Sequence, residues 1–378
     1  MVDCERSSTG VPPVRTLHRR DACATLFMWI VSKRYDLAFI FGGALASLAV
    51  PFLVMWNAAL LPLLFWIWLL VFDGTHLWAA YSRTYLDRQF WKTDGKLLLW
   101  SPVVILLPIS VIVLFFVSGS MRPIEIFLVL AQGWAYYHLV RQHYGFLSLY
   151  DRKAGARPQT HKINKWTLYV TLWSAYLYFL ISHPVNRRVS GLPESPWIQS
   201  IAFIICAATA ILFLLYHFRN RTHSAASLFT AVCVSLYAAI FFWIAPMEPF
   251  LANAGNIVQS FLLIAIMMTL FHNIQYHAIV WHYNRQKYGD TSFGAATYFN
   301  KSFTVYAAVA IGFASFYVAA AWFSTEYPSL SGKFSEPAFV PVAFAFWWGI
   351  LFHHYYLDQK IWRISKTKDL QQQLGIAA

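Results

Sequence analysis

Charge is scarce in this chain: 12% of its 378 residues are Asp, Glu, Lys or Arg, against 58% hydrophobic and 19% aromatic. Soluble domains carry roughly a quarter charged residues, so a water-soluble globular fold is excluded. Cysteine is scarcer still. Of the four, Cys4 and Cys23 lie in a polar N-terminal stretch and Cys206 and Cys233 in apolar ones, which excludes a disulfide framework. Also missing are a glycine-rich phosphate loop, any flavin, haem or iron–sulfur motif, an internal repeat, and the early apolar core and cleavage site of a secretory signal. Without these, nucleotide-dependent and self-contained electron-transfer chemistry lose their usual anchors.

What the chain does have is long apolar runs. Crossing ~30 Å of hydrocarbon takes about twenty helical residues, and such runs occupy 36–56, 58–82, 98–118, 123–148, 166–183, 197–217, 226–246, 255–284, 304–324 and 337–360. The expected fold is an all-α polytopic membrane bundle of about ten transmembrane helices. Residues 1–34 form a mobile basic N-terminal tail, 35–362 the transmembrane domain and 363–378 a C-terminal tail. Met28, just ahead of the first run, offers a second start for the natural chain. With both termini cytoplasmic, all of the 29 Lys and Arg except Arg122, Arg187, Arg188 and Lys333 fall on the inner side, the distribution that sets topology in membranes. The net charge of +13 is thereby topological. It calls for anionic lipid or an acidic protein at the inner face and for no nucleic acid.

Eight of the 13 histidines close four of these runs. His76 follows Asp73 in DGTHLW; His138 and His143 stand in HLVRQH; His272, His277 and His282 recur every fifth residue in FHNIQYHAIVWH; His353 and His354 precede Asp358 in FHHYYLD. All four runs are even-numbered, so the imidazoles share one end of the bundle and one depth. Ionisable groups at membrane level are costly unless paired or coordinated. The eight are therefore read as metal ligands, while His18, His161, His183, His217 and His223 are scattered and assigned no role.

Imidazole suits iron, zinc, copper and nickel alike, so number says more than type. Eight rings exceed one ion, and two metals are the economical reading. Asp73, Asp358 and Asn273 are each either a ligand or a hydrogen-bond partner that orients one. Helix phase sets a restriction. Residues five apart point ~140° from each other at ~100° per residue. His138 and His143 can share an ion through a local π-type widening or through unwinding beyond the membrane edge; otherwise they serve different ions, or one is not a ligand.

In these boxes the chain resembles the membrane-bound histidine-rich di-iron superfamily of fatty-acid desaturases, alkane hydroxylases and lipid hydroxylases. HLVRQH, His138 to His143, matches the HxxxxH form of their first box, although HxxHH is missing and His353 and His354 supply only half of the last. The resemblance covers the four helix ends. It implies two non-haem iron ions, dioxygen as co-substrate, and hydroxylation or desaturation of a lipid-soluble substrate. Because the chain has no redox motif of its own, electrons are expected from a separate ferredoxin-like or reductase partner at the basic cytoplasmic face, and the expected location is a bacterial inner membrane. Two other readings stay open: a haem-binding membrane electron-transfer protein, and a metal or proton transporter.

Overall fold

A backbone inside a bilayer must satisfy its own polar groups, which leaves helices and closed barrels. Every described element of this chain is a helix. The computed structural model describes residues 28–247, 257–288, 293–325, 339–363 and 367–376. Cys4, His18, Cys23, Lys333 and most of the expected N-terminal tail lie outside the described residues.

Ten long helices follow one another: α1 Lys33–Trp56, α2 Leu60–Ser82, α3 Arg88–Ser118, α4 Arg122–Lys153, α5 Pro158–Ser182, α6 Pro196–Asn220, α7 Ala225–Ile244, α8 Ile257–Tyr288, α9 Phe303–Thr325 and α10 Phe339–Ile361. Each overlies one expected run. Seven of them, α1, α2, α3, α6, α7, α8 and α9, are long and apolar enough to cross a membrane. In α4, α5 and α10 the imidazoles, amides and cations lower the hydropathy. Several helices outrun their expected spans. α3 starts at Arg88, where the Asp87 carboxylate caps it by accepting from the Gln89 and Phe90 amides, and α4 continues to Lys153.

The tails are less detached than expected. Ile30 is buried. The Ile30 and Val31 amides donate to the buried Asp36 carboxylate at 2.6 and 3.0 Å, and Lys153 Nζ donates to the Ile30 carbonyl. At the other end a short helix, Lys368–Gln373, buries Leu370 and Leu374 against α8.

α8 is the most enclosed of the seven apolar helices and α6 the least. α8 packs against α1, α2 and α4, while α10 packs against α9, α3, α2 and α4. α8 and α10 thus each touch both α2 and α4 inside the bundle. Small residues permit close approach to the neighbouring α9 and α3. A Cβ on Gly74 of α2 would stand 2.8 Å from the Ala314 Cβ of α9, and one on Gly349 of α10 would stand 2.8 Å from Ile105 of α3. The rim carries large exposed apolar side chains such as Phe52, Trp56, Trp100, Trp197, Phe218 and Phe316, as expected where hydrocarbon is the solvent.

Candidate metal centre

One histidine from each of the four helices enters a common pocket. His76 lies sixteen residues past Leu60, His138 sixteen past Arg122, His272 fifteen past Ile257 and His354 fifteen past Phe339. Four helices running the same way therefore carry a ring at one level, ~24 Å along each axis. The His76 and His354 ring centroids are 4.2 Å apart and those of His138 and His354 5.1 Å. The His272 ring stands 5.2 Å from His76 and 5.0 Å from His138. All four are buried.

Their nitrogens lack partners. Among the described residues, His76 Nε2, His138 Nε2, His272 Nδ1 and both nitrogens of His354 have no hydrogen bond. Leaving a buried polar atom unsatisfied costs ~1–3 kcal/mol, so five such atoms in one pocket point to a missing common partner. For His76, His138 and His354 one ligand atom each lies within 4.8 Å of the others. Around a tetrahedral ion with bonds of ~2.0–2.1 Å, donors stand about 3.3 Å apart, a contraction that small ring movements supply. The residues fit a transition metal bound through imidazole.

Neighbouring groups set the orientation. His76 Nδ1 is 3.0 Å from the Asp73 carbonyl; a carbonyl only accepts, so Nδ1 carries the proton and Nε2 presents its lone pair to the pocket. The turn that carries Asp73 is a π-helical segment, Trp68–Asp73, inserted in α2. Such segments recur at functional sites. Asp358, one turn beyond His354, accepts from Tyr276 Oη at 2.6 Å through Oδ1. Its Oδ2 lies 3.8 Å from His138 Nε2 and 3.6 Å from His354 Nε2. Those separations are too long for hydrogen bonds and suit a carboxylate that shares an ion with the rings.

The other expected site residues lie elsewhere. His143 is buried, but α4 stays α-helical through this stretch and the ring turns away, its Nε2 2.8 Å from Tyr237 Oη, whose proton goes to the Met268 carbonyl. His277 Nε2 stands 2.9 Å from Thr75 Oγ1. His353 is satisfied at both nitrogens, Nδ1 by Tyr81 Oη at 2.9 Å and Nε2 by Ser101 Oγ at 2.8 Å. His282 is half-buried beside Tyr35 of α1. The Asp73 carboxylate is occupied by Asn273 Nδ2 at 3.4 Å and Tyr317 Oη at 3.2 Å, which makes Asn273 a partner of Asp73. The structure thus joins His76, His138, His272, His354 and Asp358, and leaves His143, His277, His282 and His353 outside the group.

Two contributors, Tyr276 and Tyr317, escaped the sequence reading. Tyr276 bonds Asp358 and sets its ring 5.1 Å from His76 and 5.6 Å from His354; its position four residues after His272, on the same helix face, was the available signal. Tyr317, on a helix without a histidine box, gave none. Gln142 donates to the His272 carbonyl at 2.8 Å. Tyr355, a flanking aromatic in the sequence, stacks on His138 with centroids 4.5 Å apart and closes that side.

No family model matches this chain, and neither the curated proteins nor the solved structures contain a match. The likeness to the histidine-rich di-iron superfamily therefore rests on the boxes alone.

Proposed function

We propose that this chain is a membrane-embedded non-haem iron oxygenase that oxidises a C–H bond of a lipid-soluble substrate. The observation that carries the reading is the convergence of unpartnered imidazole nitrogens from separate helices beside the Asp358 carboxylate. A bound iron would supply dioxygen activation. The protein's own residues would hold the metal through His76, His138 and His354, with His272 and Asp358 within reach.

The donor set favours one ion over the two that eight histidines suggested. The three grouped imidazoles, with His272 and Asp358 within reach, suffice for one ion that keeps an open position, and the remaining four rings have neighbours of their own elsewhere. In the overall reaction one oxygen atom enters the C–H bond and the other leaves as water, so two electrons and two protons must come from outside. A separate ferredoxin-like or reductase partner would deliver the electrons at the face where the even-numbered helices end. The positive-inside distribution makes that face cytoplasmic, in an inner membrane with both termini inside and ten crossings.

The rivals fit less well. A haem needs a flat slot for its macrocycle between two axial imidazoles, and here the rings lie against one another, with His76 and His354 at 4.2 Å. Transport sites favour broken helices at the midplane, whereas α4 and α8 run through their histidines as unbroken α-helix.

Metal analysis of the purified full-length protein, with electron paramagnetic resonance and Mössbauer spectra, tests the proposal. One non-haem iron per chain and substrate-dependent dioxygen consumption are expected. Stoichiometric zinc, or a haem absorption band, refutes the oxygenase reading. Two exchange-coupled irons refute the single-ion form of it.

A further inference from the structure

A cavity of about 510 Å³ opens onto the histidine group between α4, α8 and α10. Its inner end is formed by His138, Tyr276 and Asp358, and its outer part by Arg141, Arg152 and Arg363. One face of α4 builds most of the wall. His138, Arg141, Gly145, Ser148 and Arg152 recur at helical spacing, and the fourteen residues from His138 to Arg152 span ~21 Å. Halfway along, Gly145 contributes no side chain, and a Cβ there would meet nothing. One cavity thus joins the arginines to the imidazoles.

Gln142 Oε1 and Ser148 Oγ, buried atoms on residues of the wall, have no hydrogen-bond partner among the described residues. Arg152 and Arg363 are exposed and make no ion pair among the described residues. Arg141 is braced by donating to Tyr169 Oη at 2.9 Å and by the Tyr144 ring beneath it at 5.2 Å. Asp358, the single acid among the described residues of the wall, lies at the imidazole end. A cation that merely anchors a helix points outward to headgroups, whereas these three line one cavity whose floor is the candidate metal centre.

We infer that this cleft binds an elongated molecule bearing an oxyanion, phosphate or carboxylate, with the anion held by Arg152 and Arg363 and the body extending along α4 toward His138. Arginine's planar fork matches both oxyanions. Which end of the molecule reacts rests on the proposed oxygenase centre; the binding itself does not.

The experiment uses full-length protein in phosphatidylcholine nanodiscs, titrated with dioctanoyl phosphatidic acid, dioctanoylglycerol and inorganic phosphate. Phosphatidic acid is expected to bind at least tenfold tighter than dioctanoylglycerol. Arg152→Gln with Arg363→Gln should remove that difference, and Arg219→Gln, on the exposed end of α6 outside the cleft, should leave it intact. If inorganic phosphate displaces phosphatidic acid at comparable concentration, the ligand is a soluble phosphate compound rather than a lipid; if it does not, the ligand is an amphiphile. Either result supports the oxyanion site. Equal affinity for the neutral and acidic lipids, or indifference to the double substitution, overturns it. Repeating the titration on chelator-stripped protein and on His76→Ala separates the two ideas. Arginine-dependent binding that persists in a chain unable to hold iron leaves this inference standing whatever becomes of the oxygenase proposal.

Discussion

Truncating His138 and His143 in turn puts the strongest demand on the structure, because the two rings belong to one box, on one helix, five residues apart. His138 supplies one of the three donor atoms grouped within 4.8 Å. Changing a residue that only orients a ligand costs about 10- to 100-fold in metal affinity, and losing a ligand should cost more. His138→Ala is therefore expected to weaken binding at least ~100-fold, or ~2.8 kcal/mol at 1.4 kcal/mol per tenfold. His143→Ala leaves Tyr237 Oη without its 2.8 Å partner and opens a hole beside Phe271, costing roughly 2–4 kcal/mol of stability with metal affinity unchanged. The assay is competition against a graded series of chelators, read by mass spectrometry of the metal on monodisperse protein, with thermal unfolding of the metal-free forms alongside. Equal loss of metal in both variants, or in neither, would refute the convergence of one ring per helix. A drop in unfolding temperature confined to His143→Ala would complete the expected pattern.

Four further outcomes are expected. Tyr276→Phe removes the 2.6 Å hydrogen bond to Asp358 and should lower metal affinity about 10- to 100-fold with little change in unfolding temperature, measured by the same competition. His353→Ala strips Tyr81 and Ser101 of their shared acceptor or donor; stability should fall by ~1–3 kcal/mol in denaturant titration, and bound metal should stay at the wild-type level. Gly74→Ala forces a methyl into the 2.8 Å approach to Ala314, and the α2–α9 contact should lose ~1–3 kcal/mol, seen as a lower unfolding temperature in micelles. Single cysteines placed at Gly155 and at Leu192 in a chain freed of its own cysteines should label from opposite sides of a sealed vesicle; labelling from one side would remove the ten-crossing topology.

The order of the histidine-bearing helices was legible because composition, helix length and charge bias are one-dimensional properties. A run of twenty apolar residues needs no knowledge of its neighbours to be a membrane helix. Likewise, placing the four boxes near the ends of parallel helices required only counting at ~1.5 Å per residue, and the common register of His76, His138, His272 and His354 agrees with it. Asp358 could be anticipated too, since four residues past His354 means the same face.

Which ring of each box turns inward could not be read in this way. Adjacent residues differ by ~100° in direction and residues five apart by ~140°, so any straight helix can present one ring of its box to a given point and must turn the others elsewhere. The rotation of each helix about its axis is decided by contacts far away in sequence: Phe271 against Gly43, Ala314 against Gly74, Ile105 against Gly349. Sequence alone supplied the long apolar helices and the common level of their imidazoles. Only the packed structure could choose His354 over His353 and His138 over His143, because that choice is a matter of helix phase, and phase is set by the surfaces that meet.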